Sequence, residues 1–162
     1  MNSKVHFPNE LKYLIPKNNS WAKRLCLLFC FIFLDYFVTL VFCSTPAQEA
    51  NVRARGFMEV YGIPLGLTMF NVLMSTPIYL TLSLDSHFVR LSGPWSKIVE
   101  FFVDVIFAWF IAAPHFNGAA SWFWQAPEML CRTLGASIYL IVAFALVEPH
   151  VSQEQTVYVC SE

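Results

Sequence analysis

Six side chains able to handle a proton or a ligand lie in otherwise apolar surroundings: Asp35, Thr39, Asn71, Glu100, Asp104 and His115. Asp35 and Thr39 are spaced so that a helix puts both on one face. Thr68, Asn71 and Ser75 form a second polar stripe, opposite Met69, Phe70, Leu73 and Met74. Glu100, Asp104, Ile111 and His115 follow a third line, with Phe102, Ile106, Trp109 and Ala113 facing away. Ionisable groups placed in hydrocarbon are costly and mark proton or cation sites by default. The same groups could instead be interhelical glue, a protonated acid donating to a carboxylate or an amide for about 1 kcal/mol per contact. A third possibility is that these polar faces meet a partner subunit.

A second cluster, Glu49, Asn51 and Arg53, falls in the connection after the first apolar run. Thr45-Pro46-Ala47-Gln48 has the form of a capping box with Pro at the first helical position. Glu49 with Arg53 and Arg55 with Glu59 have i,i+4 spacing, and Gly62 is placed to end the helix. The spacing predicts a short amphipathic helix on the membrane surface. The alternative use of Glu49, Asn51 and Arg53 is a polar cluster above the buried acids, with His115 beside them.

Other chemistry lacks its signature. There is no C-x-x-C and no His-x-x-His, so no metal site or haem is expected, and no cofactor. Nucleophile elbow, phosphate loop and metalloprotease helix are missing as well, so no catalytic residue is assigned. His6, His87 and His150 are scattered, and a solvated loop histidine is the simpler reading of His115. Cys26 and Cys30 read as small apolar residues. Cys43 and Cys131 fall at helix ends on one side, where a bridge could clamp the first helix to the fourth.

The elements that position these groups follow from composition. Of 162 residues, 57% are hydrophobic, 17% aromatic and only 13% charged, with 16 Phe and 5 Trp. Mean hydropathy is +0.54. A small water-soluble domain needs more polar side chains than this to cover its surface. With 10 Lys+Arg against 11 Asp+Glu there is no basic excess for nucleic acid. The chain reads as an all-α integral membrane four-helix bundle, with the lipid bilayer as its first partner.

A span needs about 20 apolar residues, and four stretches qualify, at 25–43, 63–84, 94–113 and 129–147. They divide the chain into an N-terminal segment 1–21, a membrane domain 22–147 and a tail 148–162. Residues 9–15 are expected to form a short surface helix before Pro16. Pro46, Pro64, Pro94, Pro114, Pro127 and Pro149 sit at or beyond span ends, where a missing N–H is harmless. Pro77 alone falls inside, with the Ser75 and Thr76 hydroxyls placed to satisfy freed backbone groups. The first run is too long, and too far from the N-terminus, for a cleaved signal.

Lys4, Lys12, Lys17, Lys23 and Arg24 precede the first span, and Arg90 and Lys97 fall between the second and third. Arg53, Arg55 and Arg132 lie on the other side, so the basic residues put both termini in the cytoplasm, in a cell (inner or plasma) membrane. Trp21, Trp95, Trp122 and Trp124 fall near span ends as an interfacial belt. Counted at about 1.5 Å per residue, Asp35 and Asp104 lie roughly 15 Å from the inner ends and Asn71 roughly 12 Å from the outer end, one shared layer. With no Lys or Arg inside the spans, burial is expected to keep one aspartate protonated. Thr133, Gly135, Ala136 and Ser137 equip the fourth helix for close packing, internally or against another subunit.

Asp35 with Thr39, then Glu49-Ala50-Asn51, an arginine at 53 or 55 and Gly62, resembles a family of small multi-spanning membrane proteins of unknown function, domain of unknown function 5658. That family carries Asp-x-x-x-Thr in its first helix and Glu-x-Asn-Pro after it; Val52 stands here in place of the proline. The match covers about residues 34–62. It implies architecture and singles out Asp35, Glu49 and Asn51, without a mechanism.

The leading expectation is a non-enzymatic protein acting through helix association, as an accessory subunit or homo-oligomer. The alternatives are a proton- or cation-coupled carrier using Asp35 and Asp104, and a membrane enzyme on a lipid-like substrate with Glu49, Asp104 and His115 as acid/base groups.

Overall fold

The structure, a computed structural model, describes residues 13–14, 16, 19–88 and 95–146. The expected surface helix at 9–15, the tail 148–162, His6, His150, Lys4, Lys12, Lys17, Arg90, Pro94 and Pro149 lie outside or mostly outside them, as do the side chains of His87, Trp95 and Lys97.

Every regular element among the described residues is helical. Helix α1 spans Asn19–Phe42, a 3₁₀ turn covers Pro46–Gln48, and α2 follows at Val52–Tyr61. Then come α3 (Ile63–Phe88), α4 (Trp95–Phe107), a π turn at Ala108–Ala112, α5 (Ala113–Ser121) and α6 (Glu128–Leu146). Among the described residues four stretches are long and apolar enough to cross a membrane: Asn19–Phe42, Ile63–Leu84, Ile98–Ser121 and Glu128–Leu146. The second and fourth agree with the spans read from hydropathy; the first and third do not.

Helix α1 starts earlier than the apolar run, because Arg24, Leu28, Phe31 and Ile32 form one buried stripe along it. Arg24 therefore lies inside the first span, 3% exposed, and corrects the expectation that no cation lies within the helices. The third span runs on through Pro114 to Ser121 instead of stopping at residue 113. Proline removes a hydrogen bond and crowds the carbonyl one turn back. Here the chain widens just before it, the Ala113 N–H reaching back to the Ala108 carbonyl in the i→i+5 pattern of a π turn. The widened turn under-winds the helix and swings Ala113, expected on the outer face, fully inward. His115 thus sits in a helix wall rather than in a solvated loop.

Helix α1 is the central post. Tyr36 meets Thr68 near its end, and Phe29 meets Tyr79 lower down, so α3 runs antiparallel to it. The α4–α5 rod runs parallel, with Glu100 and Asp104 beside Arg24 and His115 beside Asp35. Helix α6 returns antiparallel, its last carbonyl, that of Leu146, accepting from Lys23 Nζ at 2.8 Å. Gly135 of α6 takes Phe116 where a Cβ would overlap it, so Gly135 and the buried Ala136 serve packing within the chain, while Thr133 and Ser137 are exposed. The core joins Leu25, Leu28, Phe31, Leu82, Ala108, Ala112, Ala136 and Tyr139. The outer faces are apolar, with Phe37 63%, Phe110 77% and Ile141 68% exposed.

Pro77 does not break α3. The Ser75 and Thr76 hydroxyls donate to the Asn71 and Val72 carbonyls at 2.6 Å, two positions and one position short of the Leu73 carbonyl that the proline leaves open. Cys43 and Cys131 are both free and buried, so the bridge between α1 and α6 does not form. The Cys43 thiol donates to the Thr45 carbonyl at 3.2 Å instead.

Candidate functional site

The polar residues of the long apolar helices separate into two groups. At the end of the bundle where α1 begins, the Arg24 guanidinium forks onto Asp104, Nε to Oδ1 at 2.9 Å and a terminal nitrogen to Oδ2 at 3.0 Å. The same terminal nitrogen donates to Glu100 Oε2 at 3.1 Å. The Tyr139 hydroxyl stands 3.5 Å from Asp104 Oδ1, and Trp21 lies 5.5 Å from the guanidinium carbon. Asp104 is 4% exposed. Asp104 is thus held by a cation and is closed off from any ligand. A planar fork matching a carboxylate is the strongest form such a pair takes.

Asp35 belongs to the second group. About 16 Å farther along α1 than Arg24, its Oδ2 accepts from His115 Nδ1 at 2.8 Å. Asp35 and Asp104 therefore do not share a layer. Counting from the start of each apolar run placed them level, but α1 begins before Arg24 and the third span ends after Pro114. Gly118 makes the pairing possible: a Cβ on it would overlap the Asp35 carboxylate, so the glycine lets that carboxylate pack on the α5 backbone. Thr39, one turn above Asp35, is buried and accepts from Trp122 Nε1 at 3.2 Å.

Asp35 and His115 are half-buried, in the wall of a half-open cleft of about 930 Å³. Its walls are α1, α3 and α5, and the Gln48–Ala54 connection closes its upper end. Arg53, Glu128 and Arg132 border the upper end; Glu49, which feels the Asp35 charge, stands between them and Asp35; Asn71 and Asn117 stand near the Asp35 level, Met74 and Ser75 follow one turn down α3, and Ile32 and Ile78 line the lower part. From Leu67 to Ile78 the cleft follows α3 for about 16 Å, charged at one end and apolar at the other. That volume is in the range of organic ligand sites.

The connection is built differently from its sequence expectation. Gln48 Oε1 accepts from the Ser44 and Thr45 N–H groups, which fixes the turn, but the helix proper begins at Val52. Asn51 is its N-cap, Oδ1 accepting from Arg53 N at 3.1 Å and Ala54 N at 3.4 Å, so its side chain is structural. Neither the Glu49–Arg53 nor the Arg55–Glu59 ion pair forms among the described residues. Arg55 Nε donates to the Glu49 carbonyl at 2.9 Å, and Glu49 Oε1 accepts from the Asn51 N–H at 2.8 Å. Gly62, with φ of 80°, turns the chain into α3. Gly66 then packs on the Phe57–Met58 backbone, a contact that a Cβ would block.

Burial pushes the Glu49 carboxyl above its ordinary value near 4.5, and the Asp35 charge adds to this; the Asn51 N–H and Arg55 work against it. A carboxyl whose pKa is raised by folding lowers folding stability as pH climbs from its unfolded value through the raised one. Glu49→Gln keeps the acceptor and cannot ionise. Thermal unfolding in detergent is expected to show Glu49→Gln melting above wild type at pH 8 and level with it below about pH 4.

Of the expected mid-membrane group, Asp35, Thr39 and Asn71 border the cleft while Glu100 and Asp104 do not, and the expected outer-loop cluster of Glu49, Asn51, Arg53 and His115 borders the same cleft. No group of three or more His, Cys, Asp and Glu suited to a metal ion occurs among the described residues. Asn117, Gly118 and Trp122 were missed as site residues; their signal was helical spacing past Pro114, visible only if the helix is allowed to continue. No family model, no curated protein and no solved structure matches the chain.

Proposed function

We propose that this is a multi-pass protein of the cell membrane, with both termini cytoplasmic, whose cleft binds a small amphiphilic molecule and uses Asp35–His115 to take up or release a proton there. The observation that carries this reading is that Asp35–His115 stands in the wall of a ligand-sized cleft, whereas Arg24, Glu100 and Asp104 are bonded to one another in a closed cluster. His115 donates through Nδ1 to Asp35, which orients the ring and leaves Nε2 as the exchanging nitrogen. The carrier reading thus keeps Asp35 and exchanges Asp104 for His115. Asp35, Thr39, Glu49 and Asn51, on which the family resemblance rests, all border the cleft, which supports taking that motif as a ligand site. Helix association with a partner has less support, since the polar faces of α1, α4 and α5 find their partners within the chain.

Native mass spectrometry of protein released from membranes tests the reading. Wild type is expected to retain a small molecule at one-to-one stoichiometry, and Asp35→Asn to lose it while staying folded. Equal adducts on both proteins, or none on either, would overturn the proposal.

A further inference from the structure

The hydrogen-bond ledger of the cleft identifies the chemistry of what it holds. Along α3 each polar side chain spends a donor on its own helix: Thr68 Oγ1 donates to the Pro64 carbonyl at 2.6 Å, Asn71 Nδ2 uses one of its two N–H groups on the Leu67 carbonyl at 3.0 Å, and Ser75 Oγ donates to the Asn71 carbonyl at 2.6 Å. What the two hydroxyls present outward is lone pairs, and Asn71 presents its amide oxygen and one remaining N–H. Because the Thr68 hydrogen is committed, the Tyr36 hydroxyl donates to Thr68 Oγ1 at 2.8 Å. The Trp122 N–H is taken by Thr39, the Ser121 hydroxyl by the Gly118 carbonyl, and His115 Nδ1–H by Asp35. In the neutral imidazole Nε2 is one more acceptor.

Around Asp35 and Glu49 the cleft therefore offers two carboxylates, an amide oxygen, a hydroxyl oxygen and an imidazole nitrogen, against the amide N–H groups of Gln48, Asn51, Asn71 and Asn117 as its neutral side-chain donors. The cationic groups stand higher: a terminal nitrogen of Arg132 is engaged by Glu128 at 2.6 Å while its buried Nε has no partner, and Arg53 is exposed at the start of α2. A wall whose acceptors include two carboxylates and whose donors there are neutral complements a ligand rich in donors and positively charged. The volume is far more than a bare ion fills, and the lower part is apolar.

Resting on the reading that the cleft binds an amphiphile, we infer that its ligand is an organic amine. The ammonium is held among Asp35, Glu49 and the Asn71 amide oxygen, and its apolar tail lies against Ile32, Met74 and Ile78. An ammonium brings three donors and no acceptor, which is the complement of this wall.

Full-length protein in lipid nanodiscs, with empty nanodiscs subtracted for partitioning, tests this with radiolabelled oleylamine and unlabelled oleyl alcohol and oleic acid as competitors of matched length. Saturable oleylamine binding is expected, with both competitors at least about tenfold weaker, the usual effect of losing one charge-assisted hydrogen bond. Asp35→Asn and, separately, Glu49→Gln are expected to weaken oleylamine by about the same factor, each checked for folding by gel filtration and circular dichroism. Phe37→Ala, on the outer face of α1, should bind as wild type does. Oleic acid competing as well as oleylamine, or both carboxylate variants binding oleylamine normally, would overturn the amine assignment. Equal competition by all three amphiphiles would overturn that assignment and leave the cleft reading standing. No saturable binding of oleylamine, together with no co-purified molecule, would overturn both.

Discussion

Replacing Arg24 by Met is expected to destabilise the folded protein by about 3–5 kcal/mol, the usual cost of removing one partner of a buried ion pair. Met fills most of the volume of the arginine stem, so the loss is electrostatic rather than a cavity. Asp104, 4% exposed, loses both arms of the guanidinium fork, and Glu100 loses the nitrogen that it shares with Asp104. Neither carboxylate has another cation among the described residues close enough to replace it. Unfolding titrated with a denaturing detergent should show the loss. Adding Glu100→Gln and Asp104→Asn to Arg24→Met should restore most of it, because a pair or triad removed as a whole leaves no unpaired charge. If the single variant were as stable as wild type, the cluster would have no structural role.

The second large effect is expected at Gly118. A Cβ there collides with the Asp35 carboxylate, and backbone on one side and a paired side chain on the other leave it little room. Gly118→Ala is therefore expected to cost about 1–3 kcal/mol from overpacking, with gain of helix propensity from the glycine replacement recovering up to about 1 kcal/mol. The larger consequence is functional. Asp35 must move off α5, which breaks the 2.8 Å bond to His115 Nδ1, so the variant should lose the retained small molecule as completely as Asp35→Asn does. Gly56→Ala, where an added Cβ meets nothing, is the matched control and should keep it. A Gly118→Ala protein that retains the molecule would separate the Asp35–His115 contact from binding.

Much of the architecture was legible in the chain. The spans at 63–84 and 129–147 needed only hydropathy, since nothing polar interrupts their ends ambiguously. Both failures came from residues that break simple rules. Arg24 was counted as a flanking charge because hydropathy scores it as polar; its place on the stripe with Leu28 and Phe31 was the signal that it turns inward. Pro114 was taken for a helix end because proline ends most helices, and a π turn that absorbs its missing N–H has no local sequence signature. From these two errors followed a shared polar layer that does not exist. Asn51 was assigned to a site because its type suits one; as an N-cap it suits the start of α2 just as well.

By itself the sequence determined that the chain is helical and apolar enough to cross a membrane four times, and that Asp35, Asn71 and His115 each lie on an inward stripe. Periodicity and hydropathy are local properties and are set before any two helices meet. Which acid meets which base was decided only by the tertiary structure. Helix starts, a widened turn and one missing Cβ at Gly118 set the rotation and height of each helix against its neighbour. Shifts of a single residue there decide whether an aspartate is locked to an arginine or left facing an open cleft.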